Sequence, residues 1–336
     1  MIMDIFEQGT GELFTNPDPD EARAYFRGKS RKKENKQTSL KNAVKRFIHN
    51  GEYLATGGFG SNRTPIAACN EIVRQGLKNM GYLGLASTHD FQVLAAGEVF
   101  DRVDVASSGG MEARGMSLCA RRYLESGRVK ICEWTNFSIS ARLKAAAMGV
   151  PCVPTRNLMG TDTFKYSAAK VTKCPFTGKQ LVMQPALYPD VAVIHVHEAD
   201  IYGNCRIKGS VFSDDDLARA SKKLIITAER IIPNDEIRRS PMETIIPFYL
   251  VDAVCEVPYG AYPGSMPYEY FSDEEHLKDW IDVQHDPAQF QAFLKRNIYE
   301  CPDHETYIQN NGGINKLNEL RYKELLLHKE EAHAGL

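Results

Sequence analysis

The sequence predicts an α/β protein with an open, mostly parallel sheet and flanking helices. Strand-length apolar runs alternate with helical segments of about 10 to 15 residues between residues 39 and 155. This alternation is typical of right-handed βαβ units, which build parallel sheets. Two later apolar runs, at 188–197 and 249–257, have the composition of buried strands. A chain of 336 residues forms two domains or one large α/β domain.

The first predicted elements are a helix, a strand and a turn. Ser39 is the predicted N-cap of the helix, because apolar residues follow it at helical spacing as far as Ile48. A strand then leads into the glycine-rich stretch YLATGGFGSNRTP at 53–65. Further strands are predicted at 82–87, 99–106, 129–134 and 150–155, with helices between them.

The glycine-rich stretch is the strongest local signal in the chain. Its glycines can adopt positive φ and let another molecule approach the backbone closely. Thr64 is the predicted N-cap of the next helix, with Pro65 at its first position. Free amides at such a helix start suit an anion or a developing oxyanion. The candidate substrate or oxyanion loop is Gly57, Gly58, Phe59 and Gly60. A simple strand–helix crossover is the alternative, and the spacing is neither GxGxxG nor GxxxxGK[ST].

Further along the chain, Asn136 is the predicted cap of an alanine-rich helix that ends at the C-cap glycine Gly149. A hairpin is predicted around Thr177-Gly178. Ser213 and Asp216 have the spacing of a capping box. Strands follow at 224–228 and 249–257, and the chain after residue 272 is predicted to be helical and amphipathic.

Several side chains at strand ends are candidates for chemistry. Glu133, Glu198 and Glu229 each end a predicted strand, and in parallel sheets these ends border the ligand crevice. Each is also explained as a cap or ion-pair residue. His195 and His197 share one face of a strand. Since no cysteine or carboxylate cluster accompanies them, we interpret them as a structural pair and predict no metal site.

Composition excludes several classes of partner. The formal net charge is −2, which gives no electrostatic reason to expect nucleic acid or an anionic membrane. No apolar run reaches the roughly 18 residues of a membrane span. The first residues also lack the pattern of a secretory signal. Eight scattered cysteines without a CxxC pair favour reduced thiols, so we expect a cytoplasmic protein.

Residues 1–38 differ in composition from the rest. They are polar and end in the basic run RGKSRKKENKQT, which is typical of a solvated segment. We interpret residues 1–38 as an N-terminal extension or docking arm, flexible unless a partner holds it. Residues 39–336 are then the main domain with its helical tail.

Five blocks of the chain resemble the A (alpha) subunits of family I CoA-transferases, of the glutaconate CoA-transferase type. The blocks are LATGGFGSNRTPIA (54–67), LKAAAMGVPCVPTRNLMGTD (143–162), PDVAVIHVHEADIYGNCRIKG (189–209), LIITAERIIPNDEIRRSP (224–241) and VDAVCEVPYGAYPGSMPYEYF (251–271). They occur in the same order over most of the chain. Residues 1–38 lie outside the resemblance.

The resemblance implies an enzyme that moves CoA from an acyl-CoA thioester to a free carboxylic acid. In the family that the chain resembles, the nucleophilic glutamate belongs to the B (beta) subunit, so we expect this chain alone to carry no catalytic residue and to be inactive. The implied assembly is α2β2 or larger, with CoA thioester as substrate and no separate cofactor. The glycine-rich turn lines the shared active site. Further pocket candidates are Ser107, Ser108, Gly109, Gly110, Glu133 and Asn136.

Two other functions stay open at this stage. A second branch of the superfamily hydrolyses CoA thioesters of ring-containing acids, with an acid/base glutamate just before the alanine-rich helix. Asn136 occupies that position here, and Glu133 lies one turn earlier, so Glu133 stays a candidate. Related folds also serve as ligand sensors of transcriptional regulators. That function needs a helix-turn-helix, and residues 1–38 lack two amphipathic helices.

Overall fold

The structure is a computed structural model that describes residues 5–108, 110–111 and 114–333, with side chains as far as Leu326. Its strands are β1 (Ile5–Gln8), β2 (Tyr53–Thr56), β3 (Met80–Gly84), β4 (Phe100–Val105), β5 (Lys130–Glu133), β6 (Cys152–Thr155), β7 (Lys170–Lys173), β8 (Gln180–Pro185), β9 (Val191–Ala199), β10 (Cys205–Arg206), β11 (Lys223–Ile231) and β12 (Ala253–Glu256).

The helices surround these strands and form the C-terminal tail. They are α1 (Pro19–Gly28), α2 (Leu40–Phe47), α3 (Ile66–Arg74), α4 (His89–Ala96), α5 (Leu118–Glu125), α6 (Asn136–Met148), α7 (Asp162–Lys165), α8 (Asp214–Ala220), α9 (Asn234–Arg239), α10 (Glu274–Asp282), α11 (Pro287–Leu294), α12 (His304–Asn310) and α13 (Gly313–His333). In the described part of the chain, none of them is long and apolar enough to cross a lipid bilayer.

The main sheet confirms the predicted fold class. Its strand order is β12-β11-β9-β2-β3-β4-β5, with β10 on β9. The seven strands of this path pair in parallel, and only β10 is antiparallel. The chain first builds outwards from β2 to β5 and then continues on the other side of β2 with β9, β11 and β12. The direction of winding therefore reverses between β2 and β9, where parallel sheets open a ligand crevice at their carboxyl edge.

Both faces of the main sheet are buried. Along β9, Val191 and Val193 pack into one apolar cluster, whereas Ala192 and Ile194 pack into the other. Successive side chains of a strand point to opposite faces, so each cluster covers one face of the sheet. Continuous apolar runs such as VAVI are the sequence pattern of this double burial.

A second, antiparallel sheet has the order β1-β7-β8-β6. The turn between β7 and β8 contains Gly178 in a left-handed conformation, with φ of +68°. The hairpin predicted around Thr177-Gly178 is therefore confirmed.

The N-caps of α3 and α6 each differ by one residue from the predicted cap. Pro65 is the cap of α3 and Thr64 donates its hydroxyl to the carbonyl of Gly60, so Thr64 is not the cap. The cap of α6 is Thr135, one residue before Asn136, because the Thr135 side chain accepts from the Ser138 amide at 3.1 Å. The shift of one residue turns the Asn136 side chain away from a capping role.

Of the other predicted helix caps, two are confirmed and one is wrong. Ser39 caps α2 by accepting from the Asn42 amide, and Gly149 ends α6 with φ of +70°, as predicted. The capping box of Ser213 and Asp216 is wrong, because Ser213 makes no capping hydrogen bond.

Residues 5–38 lie against the main domain, which differs from the expectation of a flexible segment. Lys29 donates to the carbonyls of Lys222 and Leu250, and burial lowers its pKa. The backbone of Lys36 accepts from the Val254 amide at 2.9 Å, which covers the edge of β12. Part of the basic run therefore binds carbonyl groups of the chain itself. Docking of this segment on a partner stays a prediction.

Candidate active site

The crevice between β2 and β9 is bordered by two chain segments. One is the glycine loop (residues 57–60), which directly follows β2. The other is the stretch before α8, whose Phe212 ring stacks on the ring of Phe59 with centroids 5.0 Å apart and planes 19° apart. The loop is thus at the reversal point of the sheet, where parallel α/β proteins bind ligands.

A pocket of about 510 Å³ opens beside the glycine loop. Five parts of the chain form it: the glycine loop, the end of β3, helix α6, strand β6 and the start of α8. Its lining is mostly apolar and consists of Phe59, Leu85, Phe137, Ser140, Ala141, Lys144, Val153, Phe212, Ser213 and Asp216. The volume is in the range typical of small-molecule sites.

The backbone amides of the glycine loop are already hydrogen-bonded within the chain. The amide of Gly57 donates to the Val193 carbonyl at 2.9 Å, and that of Phe59 to the Asn62 carbonyl at 3.0 Å. The Gly58 amide donates to Oδ1 of Asp214 at 2.9 Å, and the Gly60 amide to the Ala86 carbonyl at 3.1 Å. No free amide of residues 57–60 faces a ligand, so the expected oxyanion role does not fit. The loop shapes the pocket instead.

Glycine is required at position 58 for steric reasons. Its φ is +83°, a conformation that side chains rarely adopt. An added Cβ would also lie 2.5 Å from the Asn62 carbonyl oxygen. The backbone of Asn62 and Arg63 therefore packs so closely against Gly58 that only glycine fits in the loop at this position.

A buried ion pair holds the loop against α8. Arg63 Nη1 donates to Oδ2 of Asp214 at 2.5 Å, and the two side chains are 1% and 2% exposed. Arg63 Nη2 donates to the Ser210 carbonyl at 2.7 Å. Three aspartates at a helix start suggest only compensation of the helix dipole, so the sequence pattern does not reveal this contact. The partners are far apart in sequence, and no spacing rule connects them.

The polar side chains of the pocket are paired with one another. Lys144 Nζ lies 3.2 Å from Oδ1 of Asp216, and the hydroxyls of Ser140 and Ser213 are hydrogen-bonded at 2.9 Å. Burial raises the pKa of Asp216, with a further contribution from the charge of Asp215. The remaining lining is aliphatic or aromatic.

Comparison with known proteins identifies the family. Residues 37–257 match the family described as coenzyme A transferase. The chain belongs to the coenzyme A transferase family. The predicted enzyme class, a CoA-transferase, is thereby confirmed.

Two relatives and one solved structure are similar to this CoA-transferase. The A subunit of glutaconate CoA-transferase from Acidaminococcus fermentans is 32% identical over 308 residues, covering 84% of this chain and 94% of the relative. The crystal structure of that organism's enzyme superimposes with a TM-score of 0.81 at 31% identity, covering 85% of this chain and 95% of the other. An uncharacterized protein of Archaeoglobus fulgidus is 44% identical over 326 residues, 96% of this chain and 73% of the relative.

The other predicted pocket residues of the CoA-transferase that the structure describes do not line the pocket beside the glycine loop. Ser107, Ser108 and Gly110 follow β4, and Glu133 ends β5, the outermost strand. β4 and β5 are two and three strand spacings from β2, or roughly 10 and 14 Å. None of these four residues lines the pocket, and Gly109 lies outside the described residues.

Asn136 is close to the pocket of the CoA-transferase in sequence but does not line it. It is the first residue of α6, and its side-chain oxygen is buried without a hydrogen-bond partner in the described structure. The next residue, Phe137, does line the pocket. The first turns of α6 therefore form part of the pocket wall, as the position of Asn136 suggested. The residues that face the pocket are Phe137 and others further along the helix, and not Asn136 itself.

The histidines of β9 are committed to hydrogen bonds inside the CoA-transferase chain. His195 contacts Thr227 at 2.9 Å and Glu229 at 2.8 Å through its two ring nitrogens. His197 accepts from the Lys208 amide at 3.0 Å and donates to the Pro267 carbonyl at 2.9 Å, and burial lowers its pKa to about 4. The described residues contain no group of three or more potential metal ligands. The interpretation as a structural pair agrees with these contacts.

Proposed function

We propose that this chain is the alpha component of a heteromeric CoA-transferase that moves CoA from an acyl-CoA thioester to a free carboxylic acid. The observation that carries the proposal is the pocket at the reversal point of the sheet, which has a wall for an acyl group and lacks a free nucleophile. The relative from Acidaminococcus fermentans is itself named as an A subunit, which supports a division of the enzyme into two chains.

The lining of the pocket gives the reason for assigning the nucleophile elsewhere. Among the described lining residues the one carboxylate is that of Asp216, which is 15% exposed and ion-paired with Lys144. The ion pair with Lys144 stabilises the negative charge of Asp216 and so makes this carboxylate a weaker nucleophile toward a thioester. We therefore assign the nucleophile to a glutamate of the B (beta) subunit.

The proposed reaction proceeds by covalent catalysis. A carboxylate oxygen of the partner glutamate attacks the thioester carbonyl, and the carbon–sulfur bond breaks to give an acyl–glutamyl anhydride and CoA thiolate. The thiolate then attacks the glutamyl carbonyl and releases the first carboxylate, leaving a glutamyl-CoA thioester. The acceptor carboxylate repeats these steps in reverse, so it leaves as the new acyl-CoA and the glutamate is restored.

The enzyme needs a second chain to complete its active site. This chain encloses the pocket only in part, and an α2β2 or larger assembly is the arrangement that we propose. CoA enters as part of the substrate, so the reaction as written needs no separate cofactor. The eight cysteines are all free thiols, which suits the reducing cytoplasm in which we place the enzyme.

The test compares this chain alone with this chain co-expressed with the adjacent gene product. Transfer of CoA from an acyl-CoA to an isotope-labelled carboxylate is expected only with both chains. Transfer by this chain alone would contradict the proposal. Release of free CoA or of a ring-opened product without labelled acyl-CoA would instead indicate the hydrolase, and Glu133→Gln would then be the first variant to measure.

A further inference from the structure

We infer that the pocket beside the glycine loop selects an apolar acyl group and discriminates against one that carries a second carboxylate. The inference rests on the proposed function and adds the chemical class of the substrate. Three features of the pocket support it: a fixed aromatic wall, a further exposed phenylalanine in the lining, and the pairing of the charged side chains among the described lining residues.

The aromatic wall is formed by Phe59 and Phe212. The two rings stack with 5.0 Å between centroids, and the guanidinium of Arg63 lies 5.4 Å from the centroid of the Phe212 ring. Phe212 has φ of +55°, which is rare for a bulky residue and persists only where the surroundings enforce it. The residue is nevertheless 41% exposed. A strained aromatic residue thus lines the pocket with part of its surface exposed.

Another part of the apolar lining comes from α6 and its neighbours. Phe137 lies in the first turn of α6 and is 60% exposed, although it is a large apolar side chain. Leu85, Ala141 and Val153 complete the apolar lining. A ligand in contact with these side chains would remove apolar surface from water, which favours hydrocarbon groups over polar ones.

The charges of the pocket do not favour a distal carboxylate. Lys144 is the only basic residue among the described lining residues, and Asp216 already pairs with it at 3.2 Å. A second carboxylate on the acyl group would compete with Asp216 for this lysine and would lie near a like charge. An unpaired carboxylate in an apolar pocket is strongly disfavoured.

The position of the pocket favours substrate over a partner side chain as its occupant. It lies beside the loop at the reversal point of the sheet, where ligands bind in this class of fold. Its volume of about 510 Å³ is that of a small-molecule site. Docking of a partner side chain in the pocket is kept as an outcome of the test.

The experiment uses the complex of both chains with acetate as acceptor. Donors are straight-chain acyl-CoAs of increasing length and, at matched length, acyl-CoAs with a terminal carboxylate. We expect kcat/KM to rise about fourfold per added methylene until the pocket is filled. The carboxylated donors should be at least about tenfold poorer than their matched partners.

Variants of Phe137 link the selectivity to this pocket. Phe137→Ala should flatten the dependence on chain length, and Phe137→Leu should retain most of it. Phe176→Ala is the matched control, because Phe176 is 94% exposed and lies in the β7–β8 turn outside the pocket lining. It should leave the dependence unchanged.

The outcomes separate this inference from the proposed function. If no donor supports transfer, the proposed function fails and the inference fails with it. Transfer that prefers the carboxylated donors, or shows no dependence on chain length, overturns the inference alone. If the partner dissociates more readily from Phe137→Ala in gel filtration while the remaining complex keeps the full dependence on chain length, this face belongs to the interface between the two chains and the inference is overturned.

Discussion

Replacing Asp214 with alanine is expected to be one of the most destabilising single changes near the site. Asp214 accepts from two groups that the fold cannot expose, the guanidinium of Arg63 at 2.5 Å and the amide of Gly58 at 2.9 Å. The Asp214→Ala variant would leave a cation that is 1% exposed without a counter-charge and would leave the loop amide without an acceptor.

The magnitude follows from these two losses. Removing one partner of a buried ion pair costs about 3–5 kcal/mol, and an orphaned buried donor costs about 1–3 kcal/mol. The two losses share one side chain and do not simply add. We therefore expect the free energy of unfolding to fall by about 3–5 kcal/mol, against a usual total of about 5–15 kcal/mol.

Urea denaturation of the purified chain, followed by circular dichroism, measures this loss. The matched control is Asp215→Ala on the same helix, because Asp215 and its partner Arg219 are 36% and 42% exposed; its effect should stay below about 1 kcal/mol. The double variant Arg63→Met/Asp214→Leu should recover much of the loss, since it removes both charges. Equal effects of Asp214→Ala and Asp215→Ala would refute the reasoning.

Three further predictions concern the loop, a buried histidine and the N-terminal segment. Gly58→Ala places a Cβ 2.5 Å from a carbonyl oxygen and should lower kcat/KM of the two-chain enzyme by at least about tenfold. Gly76→Ala is the control, because Gly76 also has a positive φ but an added Cβ there would meet nothing within 4 Å. Equal kcat/KM values for the two variants would contradict this prediction. Burial lowers the pKa of His197 from 6.5 to about 4, so as the pH falls the unfolded chain binds a proton before the folded chain does. The contribution of His197 to the free energy of unfolding should therefore be complete above pH 6.5, decline between pH 6.5 and 4, and level off below pH 4. Urea titrations at a series of pH values should show a smaller decline for His197→Gln than for the unchanged chain, and an identical decline would contradict the lowered pKa of His197. Deleting residues 1–38 exposes the edge of β12 and should lower the melting temperature or cause aggregation; an unchanged melting temperature with loss of co-purification would instead favour a docking arm.

The sheet is predictable from the sequence because its signals are local. Apolar runs such as that of β9 report burial on both faces, and the alternation of strands and helices predicts parallel pairing. The turn at Gly58 is predictable for the same reason, since glycine is the residue that adopts positive φ most readily. Cap positions are less sharply marked: Thr64 and Asn136 are each one residue from the actual cap.

The walls and charges of the pocket are not predictable in this way. Phe212 meets Phe59, and Asp214 meets Arg63, only because the chain returns to the other side of β2 after β5. Such contacts depend on strand order, which alternation alone does not specify. Most residues of the basic run are exposed, as a solvated segment predicts, but composition does not reveal that Lys29 binds two carbonyl groups of the main domain.

The central claim is that this chain forms half of an active site whose nucleophile is on another chain. Borohydride reduction during turnover tests it directly, because it converts a glutamyl-CoA thioester to a stable alcohol that mass spectrometry locates by chain and residue. The complex should be incubated with acyl-CoA, reduced and digested. We predict one reduced glutamate on the partner chain and none on this one. A reduced carboxylate on this chain, at Glu133 or Asp216 for example, would contradict the account, as would CoA release with no trapped residue.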